Sequence, residues 1–146
     1  MLISLGVYMK KVRLMDLAVL LASLILCFGT AFVFSACGPK EDGSWMLCHW
    51  AERVVVLQGA ICSLLAFAKL VCARDGVRLG LAVAIFFNSL SAVFVPGRII
   101  PLCKMANMRC HLVMKPSVFT VAILLCLLCL LDAALLFRKV YPRKGH

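Results

Sequence analysis

Two short stretches of the chain place a cysteine beside a histidine after a methionine, "MLCHW" at 46–50 and "MRCHL" at 108–112. The chain has only three histidines, so two of them lie in this frame. Thiolate and thioether ligands together suit Cu(I), and thiolate and imidazole together suit Zn²⁺. Because neighbouring residues of a helix point about 100° apart, one ion would take one residue from each stretch. The repeat predicts a metal site shared between the two stretches, and the alternative is that the cysteines and the histidines have separate roles.

The predicted metal ligands are the soft and borderline donors in and around these stretches. They are Cys48, His49, Cys110, His111, Cys37, Cys103, Met46 and Met108. Copper and zinc are the candidate ions. Haem is a further candidate, with His49 and His111 as axial ligands and nearby cations binding its propionates. The chain has no Cys-x-x-Cys-His sequence, so a covalently attached haem is not expected.

Two other interpretations of the same cysteines stay open. Cysteines outside the plasma membrane tend to oxidise, and four of them allow three disulfide pairings. Pairs within each loop would staple the loops, and cross-pairs would join the two halves. Thiols beside histidines could instead be redox-active. The arrangement is similar to that of quinone-coupled disulfide-forming membrane enzymes, although these use a Cys-x-x-Cys pair that the outer loops here lack.

The elements that must position these residues are apolar. Hydrophobic residues make up 64% of the 146 residues, whereas soluble domains contain about 45–50%. They form four long blocks at about 14–36, 54–72, 79–95 and 118–137. Blocks of this length predict helices that cross a lipid bilayer, where the backbone must satisfy its own hydrogen bonds. The fold is therefore predicted to be all-α, a four-helix transmembrane bundle forming one domain over 1–146, with loops at 37–53 and 96–117.

Positive charge predicts the orientation of the bundle. The N-terminal segment, middle loop and C-terminal tail carry ten of the sixteen cations: Lys10, Lys11, Arg13, Lys69, Arg74, Arg78, Arg138, Lys139, Arg143 and Lys144. The first and third loops carry the other six: Lys40, Arg53, Arg98, Lys104, Arg109 and Lys115. Both termini are therefore predicted to be cytoplasmic and both Cys-His loops extracytoplasmic. The net charge of +10 is attributed to lipid headgroups, and no nucleic-acid partner is expected.

The two halves of the chain share one plan, a helix, an outer loop with two cysteines and a second helix. The loop cysteines are Cys37 and Cys48 in the first half, then Cys103 and Cys110 in the second. Because both helical hairpins start on the same side, the repeat is predicted to be parallel, about an axis along the membrane normal. That relation would bring the two Cys-His corners together at the outer mouth of the bundle.

Polar residues inside the spans predict contacts between helices. Gln58 and Asn88 lie at similar depth and are expected to hydrogen-bond. Lys69 and Asp132 both lie near the inner side and are expected to form an ion pair. Asp16 is interpreted as an ordinary acid of a first helical turn.

On the residues Cys37, Cys48-His49-Trp50, Cys103 and Met108-Arg109-Cys110-His111, the chain resembles a small uncharacterised family of bacterial four-pass membrane proteins. The family is classed as a domain of unknown function, and its members carry a "CHW" loop and a later "MRCH" loop. The resemblance covers nearly the whole chain. It implies a bacterial plasma-membrane protein, sometimes encoded beside an ABC-type export permease, and no established activity.

No phosphate-binding loop, nucleophile elbow or zinc-protease sequence occurs, so a non-enzymatic role is favoured. "FSACG" at 34–38 resembles a lipoprotein processing site, but the apolar run before it is longer than a signal peptide requires. The sequence therefore predicts a membrane protein whose outer Cys/His/Met cluster binds a soft metal or haem or is stabilised by disulfides, and which could assist a transporter. The alternative is a membrane thiol-disulfide oxidoreductase coupled to quinone.

Overall fold

The computed structural model of the chain describes residues 2–105 and 107–141, with side chains from residue 13 onward. Helix α1 (Leu2–Leu24) continues as a π-helical segment, Ile25–Val33. Helices α2 (Leu47–Val71) and α3 (Asp75–Phe94) follow. A second π-helical segment, Cys110–Met114, leads directly into α4 (Lys115–Val140). Of the predicted cytoplasmic cations, the side chains of Lys10 and Lys11, and the whole of Arg143 and Lys144, lie outside this description.

Four helical stretches are long and apolar enough to cross a membrane. They are Arg13–Val33, Leu47–Val71, Asp75–Phe94 and Cys110–Val140. Large apolar side chains cover the outside of the bundle, as Phe32, Leu64 and Val71 illustrate with exposures of 70% or more. Lipid is the solvent in which such a surface is stable. The predicted all-α, four-helix membrane protein is confirmed, and its sidedness and its parallel repeat stay predictions.

All four helices begin earlier in the sequence than the apolar blocks suggest, and in two of them the added residues include the motif cysteines. Helix α2 begins at Leu47, so that Cys48, His49 and Glu52 are helical, and the last helical stretch begins at Cys110. Polar residues in these first turns lower the local hydropathy, and for this reason the apolar blocks mark only the central part of each helix. The motif cysteines therefore lie at helix N-termini.

Small and polar side chains fill the inside of the bundle. Ser23, Thr30 and Ser89 are completely buried, alongside many alanines. At Gly59 a Cβ atom would lie 2.7 Å from the backbone of Cys27, so only glycine permits this approach of α2 to the first π-helical segment. Small residues at the contacts between helices are typical of membrane bundles. The hydrophobic effect does not drive helices together in lipid, so they associate through van der Waals contacts, and small residues allow the backbones to approach closely.

Charged residues from all four helices meet at one end of the bundle. Lys69 of α2 contacts Asp132 of α4 and lies 2.7 Å from Asp16 of α1, and these three side chains are nearly inaccessible to solvent. Arg78 of α3 also contacts Asp16. The predicted pairing of Lys69 with Asp132 is confirmed. The interpretation of Asp16 as a first-turn acid is wrong, because α1 begins at Leu2 and Asp16 lies in the helix interior, where two cations neutralise it.

Farther along the bundle, α2 and α3 are joined by uncharged polar contacts. The Asn88 side-chain amide donates to the backbone carbonyl of Gln58 (2.9 Å), and the Gln58 amide donates to the Ser91 hydroxyl (2.7 Å). The predicted hydrogen bond between Gln58 and Asn88 is confirmed, with the backbone of Gln58 as its acceptor.

Candidate metal centre

Four cysteines from four separate places in the sequence meet at the other end of the bundle. The Sγ atoms of Cys37, Cys48, Cys103 and Cys110 all lie within 4.8 Å of one another. Cys48 and Cys110 are completely buried, and Cys37 and Cys103 are partly buried. The group is therefore compact and largely shielded from solvent.

The helix starts position two of these thiols. Cys48 lies in the first turn of α2, and Cys110 begins the second π-helical segment. The N-terminus of a helix carries partial positive charge and backbone N–H groups without a partner in the helix. Both thiols thus lie at the positive end of a helix dipole. π-Helical segments occur frequently at functional sites, and here one of them leads towards Cys37 and the other begins at Cys110.

The loop after α3 positions Cys103. The chain turns at Gly97, whose φ of 89° lies in a region that glycine adopts easily. The Gly97 N–H donates to the carbonyl of Ile100 (2.9 Å), and the Ile100 N–H donates to that of Val95 (3.0 Å). This tight turn folds the loop back over the helix ends, so that Cys103 reaches the thiols of the other loop.

A buried acid that the sequence argument overlooked positions Cys37. Glu52 is only 8% exposed, and its carboxylate accepts a 2.6 Å hydrogen bond from the backbone N–H of Ala36. It lies one helical turn after Cys48, on the same side of α2. Glu52 therefore fixes the end of the first loop against the helix that carries Cys48. An acid four residues after a motif cysteine, at the edge of an apolar block, was the signal available in the sequence.

The thiols contact one another across the two loops. Cys103 Sγ lies 3.2 Å from Cys48 Sγ and donates a hydrogen bond to it. Burial, together with the hydrogen bonds that it donates to Cys48 and Cys110, raises the pKa of Cys103. Burial acts to raise the pKa of Cys37. Hydrogen bonds from the Cys110 backbone and from the other three thiols together have a larger, opposite effect, so the pKa of Cys37 lies below its ordinary value. Cys37 is therefore favoured over Cys103 as the site of a thiolate.

The predicted methionine and histidine ligands lie around this group. Met46 Sδ is 3.6 Å from Cys103 Sγ, and Met108 lines a cavity together with Cys103. The His111 ring donates from Nε2 to the Cys103 carbonyl oxygen (2.7 Å). The His49 ring stacks on Trp45 with the ring centroids 4.1 Å apart. The structure thus brings the four cysteines and Met46 together and engages both histidine rings with other partners.

The four thiols could hold a metal ion. Sulfur atoms around one tetrahedral Zn²⁺, with Zn–S bonds of about 2.3 Å, lie about 3.8 Å apart, which falls within the 4.8 Å limit of this group. The Sγ atoms of Cys48 and Cys103, now 3.2 Å apart, would separate by about 0.6 Å, and sulfurs farther apart would move closer together. All nine cysteines carry free thiols in the structure, and the disulfides considered from the sequence stay a prediction.

Comparison with known proteins places this architecture in a family. A family described as a domain of unknown function (DUF4418) matches residues 19–135. No curated protein matches the chain, and no solved structure does. The match includes the four clustered cysteines and all or nearly all of each apolar helix after α1, in agreement with the resemblance to an uncharacterised family. This chain belongs to the family of the DUF4418 domain of unknown function.

Proposed function

We propose that this protein binds one soft or borderline transition-metal ion through Cys37, Cys48, Cys103 and Cys110, at the extracytoplasmic mouth of a bacterial plasma-membrane bundle. The observation that carries the proposal is the mutual approach of the four Sγ atoms to within 4.8 Å. Four sulfur donors select zinc or copper(I) over hard cations. The role is one of binding, without catalysis by this chain alone.

Charge and scaffold both support a metal at this position. Two of the four thiols lie at helix N-termini, where partial positive charge offsets part of the negative charge of a tetrathiolate. Glu52 and His111 hold the loops at Ala36 and Cys103 by hydrogen bonds to the backbone. Partners of this kind orient the ligands of a metal site and tune its affinity.

The haem interpretation has less support than a thiolate site. Haem ligation by His49 and His111 would need a free imidazole nitrogen on each ring. The Nε2 atom of His111 is engaged by the Cys103 carbonyl, and that of His49 lies 3.4 Å from the Arg53 guanidinium. Iron could bind through Nε2 only if both rings turned away from these partners, and only Nδ1 of each ring could bind while these contacts are kept.

The proposed location rests on the aromatic residues and on the distribution of charge. Trp45 and Trp50 lie beside the cysteine group and are more than half exposed, as is typical of side chains at a membrane–water interface. The excess of cations on the other loop and the termini favours an extracytoplasmic position for the cysteines. An ABC-type export permease is the proposed partner, on the ground of the family resemblance.

The test measures the metal content of the detergent-solubilised protein. The chain is reduced, stripped with a chelator and titrated with Co²⁺, whose thiolate charge-transfer and d–d bands report tetrahedral sulfur coordination. We expect one Co²⁺ per chain, lost or much weakened in Cys48→Ser and Cys110→Ser. Cys72→Ser is the matched control, because Cys72 is partly buried like Cys37 and Cys103 but ends α2 at the opposite side. One tightly bound ion in the quadruple serine variant would refute the proposal.

A second candidate function is thiol-disulfide exchange, favoured by the 3.2 Å contact between Cys48 and Cys103. Oxidation of these two thiols to a disulfide would release two protons and two electrons, and a membrane quinone would accept both to become the quinol. The reverse exchange with a dithiol partner would restore the thiols. This function predicts quinone reduction by the reduced protein, with loss in Cys103→Ser and no loss in Cys72→Ser. A chain that leaves quinone fully oxidised does not have this activity.

A further inference from the structure

A cavity of about 380 Å³ opens beside the cysteine group. Three of its lining residues are methionines, Met46, Met105 and Met108, and Cys103 forms part of its wall. The cavity and the metal site therefore share one residue. Any ligand that entered the cavity would reach the metal site at Cys103.

These methionines lie at the edge of the core or outside it, and Met46 and Met108 pack against it. Met105 is 67% exposed, and Met46 and Met108 are only partly buried. Met114, in contrast, is completely buried in the bundle core. Methionine usually fills irregular gaps inside a core, whereas all three of these sulfur-bearing side chains line one open cavity. Thioether sulfur is a soft neutral donor that suits Cu(I) and contributes little to Zn²⁺ binding.

We infer that this cavity is the entry site for Cu(I), which passes from the thioethers of Met105, Met108 and Met46 to the thiol of Cys103. The inference rests on the proposed metal site and names its cargo as copper(I). The 3.6 Å separation of Met46 Sδ and Cys103 Sγ is short enough for one ion to bridge both sulfurs during transfer.

The charges at the cavity indicate the chemical form in which copper arrives. Lys40 and Lys104 also line the cavity, and both are exposed. Two ammonium groups would repel a bare cation but attract an anionic complex. The donor is therefore a Cu(I) complex with net negative charge, such as one formed by an anionic thiol or chelator.

The transfer is a ligand exchange without electron transfer. The bond between copper and the Met46 thioether breaks as the bond between copper and Cys103 Sγ forms. The proton of the Cys103 thiol leaves to water, and the anionic carrier is released from the cavity. Copper stays in the Cu(I) state throughout.

The experiment follows Cu(I) loading of the whole, detergent-solubilised chain from the anionic Cu(I)–bicinchoninate complex under reducing conditions. The loss of absorbance of the complex gives the rate. We expect the triple variant Met46→Leu, Met105→Leu, Met108→Leu to load Cu(I) at least tenfold more slowly than wild type, with unchanged Co²⁺ stoichiometry. Leucine keeps the apolar volume and removes only the sulfur donor.

Matched variants separate the entry site from the metal site. Met114→Leu should load Cu(I) at the wild-type rate, because Met114 is buried away from the cavity lining. Lys40→Gln with Lys104→Gln should slow loading from the anionic complex by a smaller factor that diminishes as salt is added. If the triple variant fails to bind Co²⁺, the single Met105→Leu variant, altered at an exposed position, replaces it and should still slow Cu(I) loading severalfold.

The outcomes for the two proposals are distinct. Wild-type loading of Cu(I) by a methionine variant that binds Co²⁺ normally overturns the entry site and leaves the cysteine site standing. If the wild-type chain binds neither Co²⁺ nor Cu(I), the proposed cysteine site itself is overturned.

Discussion

The bundle has polar groups at both ends, but only at one end do positive and negative charges balance each other. Where α2 and α4 begin, four thiols contact mainly one another. Where the same helices end, Lys69 and Arg78 contact Asp16 and Asp132, so that two positive and two negative groups meet. Cys48 and Lys69 are about 30 Å apart along α2. The two groups are therefore separate and can be tested separately.

The two ends differ in whether the chain itself supplies the opposite charge that each end requires. Buried charges of opposite sign satisfy one another, and removal of one leaves its partner uncompensated in a medium of low polarity. Four thiols have no such counter-charge, and their full deprotonation would require a cation among them. The charged end thus balances its charges within the chain and joins its helices, whereas the proposed metal ion would complete the cysteine end.

The largest effect is expected from breaking the charged end. Lys69→Met would leave Asp132 without its cation and Asp16 with only Arg78. We expect a loss of about 3–5 kcal/mol in the free energy of unfolding, measured by thermal or denaturant unfolding in detergent. Metal binding by any Lys69→Met protein that folds should be unchanged, because the cysteine group is distant.

Two control variants define this result. Lys139→Met removes a cation that is 36% exposed and pairs with Asp75 at 2.7 Å, so it should cost less than about 1 kcal/mol. Combining Lys69→Met with Asp132→Leu removes both members of the pair and should recover most of the loss. If the double variant is as unstable as Lys69→Met alone, the uncompensated charge is not the cause.

The next effect is expected at the cysteine end and depends on the ligand. Zn²⁺ or Cu(I) at one hundred times its dissociation constant should stabilise the wild-type protein by about 2.7 kcal/mol. The quadruple variant with Ser at 37, 48, 103 and 110 should gain nothing from either ion, in the same unfolding assay. The Lys69→Met protein should gain the full increment, because distant sites contribute additively. A reduced gain would show that the two ends are coupled.

The positions of the helices could be predicted from the sequence, because four apolar blocks in a membrane leave the backbone few alternatives to helix. The pairing of Lys69 with Asp132 could also be predicted, since a buried ion of either sign requires a partner. The second partner of Lys69 was missed. Asp16 looked like a terminal residue because the sequence before it contains Lys10, Lys11 and Arg13, whereas the helix already begins at Leu2.

The candidate site could be predicted only in part. The spacing of the two Met-x-Cys-His stretches indicated that Cys48 and Cys110 belong together, and the structure also brings Cys37 and Cys103 to them. Selecting four thiols from eight candidate ligands required the direction of each side chain at the helix starts, which composition does not contain. The role of Glu52 depends on the return of the loop to α2 at Ala36, a contact sixteen residues distant in sequence.

A smaller effect on stability is expected from Glu52, which connects the cysteine end to its scaffold. Glu52→Gln would replace a hydrogen bond to a charged group with a neutral one at Ala36 and should cost about 1.5–3 kcal/mol at most. Because that bond fixes the segment before Cys37, metal affinity should fall by about 10–100-fold, measured by competition with a chelator. Glu41→Gln, in the exposed part of the same loop, should change neither quantity. Unchanged affinity in Glu52→Gln would assign Glu52 to stability alone.

The smallest effect is expected between the two ends, where polar groups are neither charged nor available to a ligand. Asn88→Leu would remove the 2.9 Å hydrogen bond to the Gln58 carbonyl and the 3.1 Å contact with Cys62 Sγ. Hydrogen bonds between membrane helices contribute about 0.6 kcal/mol on average, so we expect a loss of that order in unfolding assays and no change in metal binding. Phe87→Leu, at a neighbouring position that is 62% exposed, is the control for altered lipid contact. A loss above about 2 kcal/mol for Asn88→Leu would mean that the middle of the bundle, like its charged end, depends on buried polar contacts for its stability.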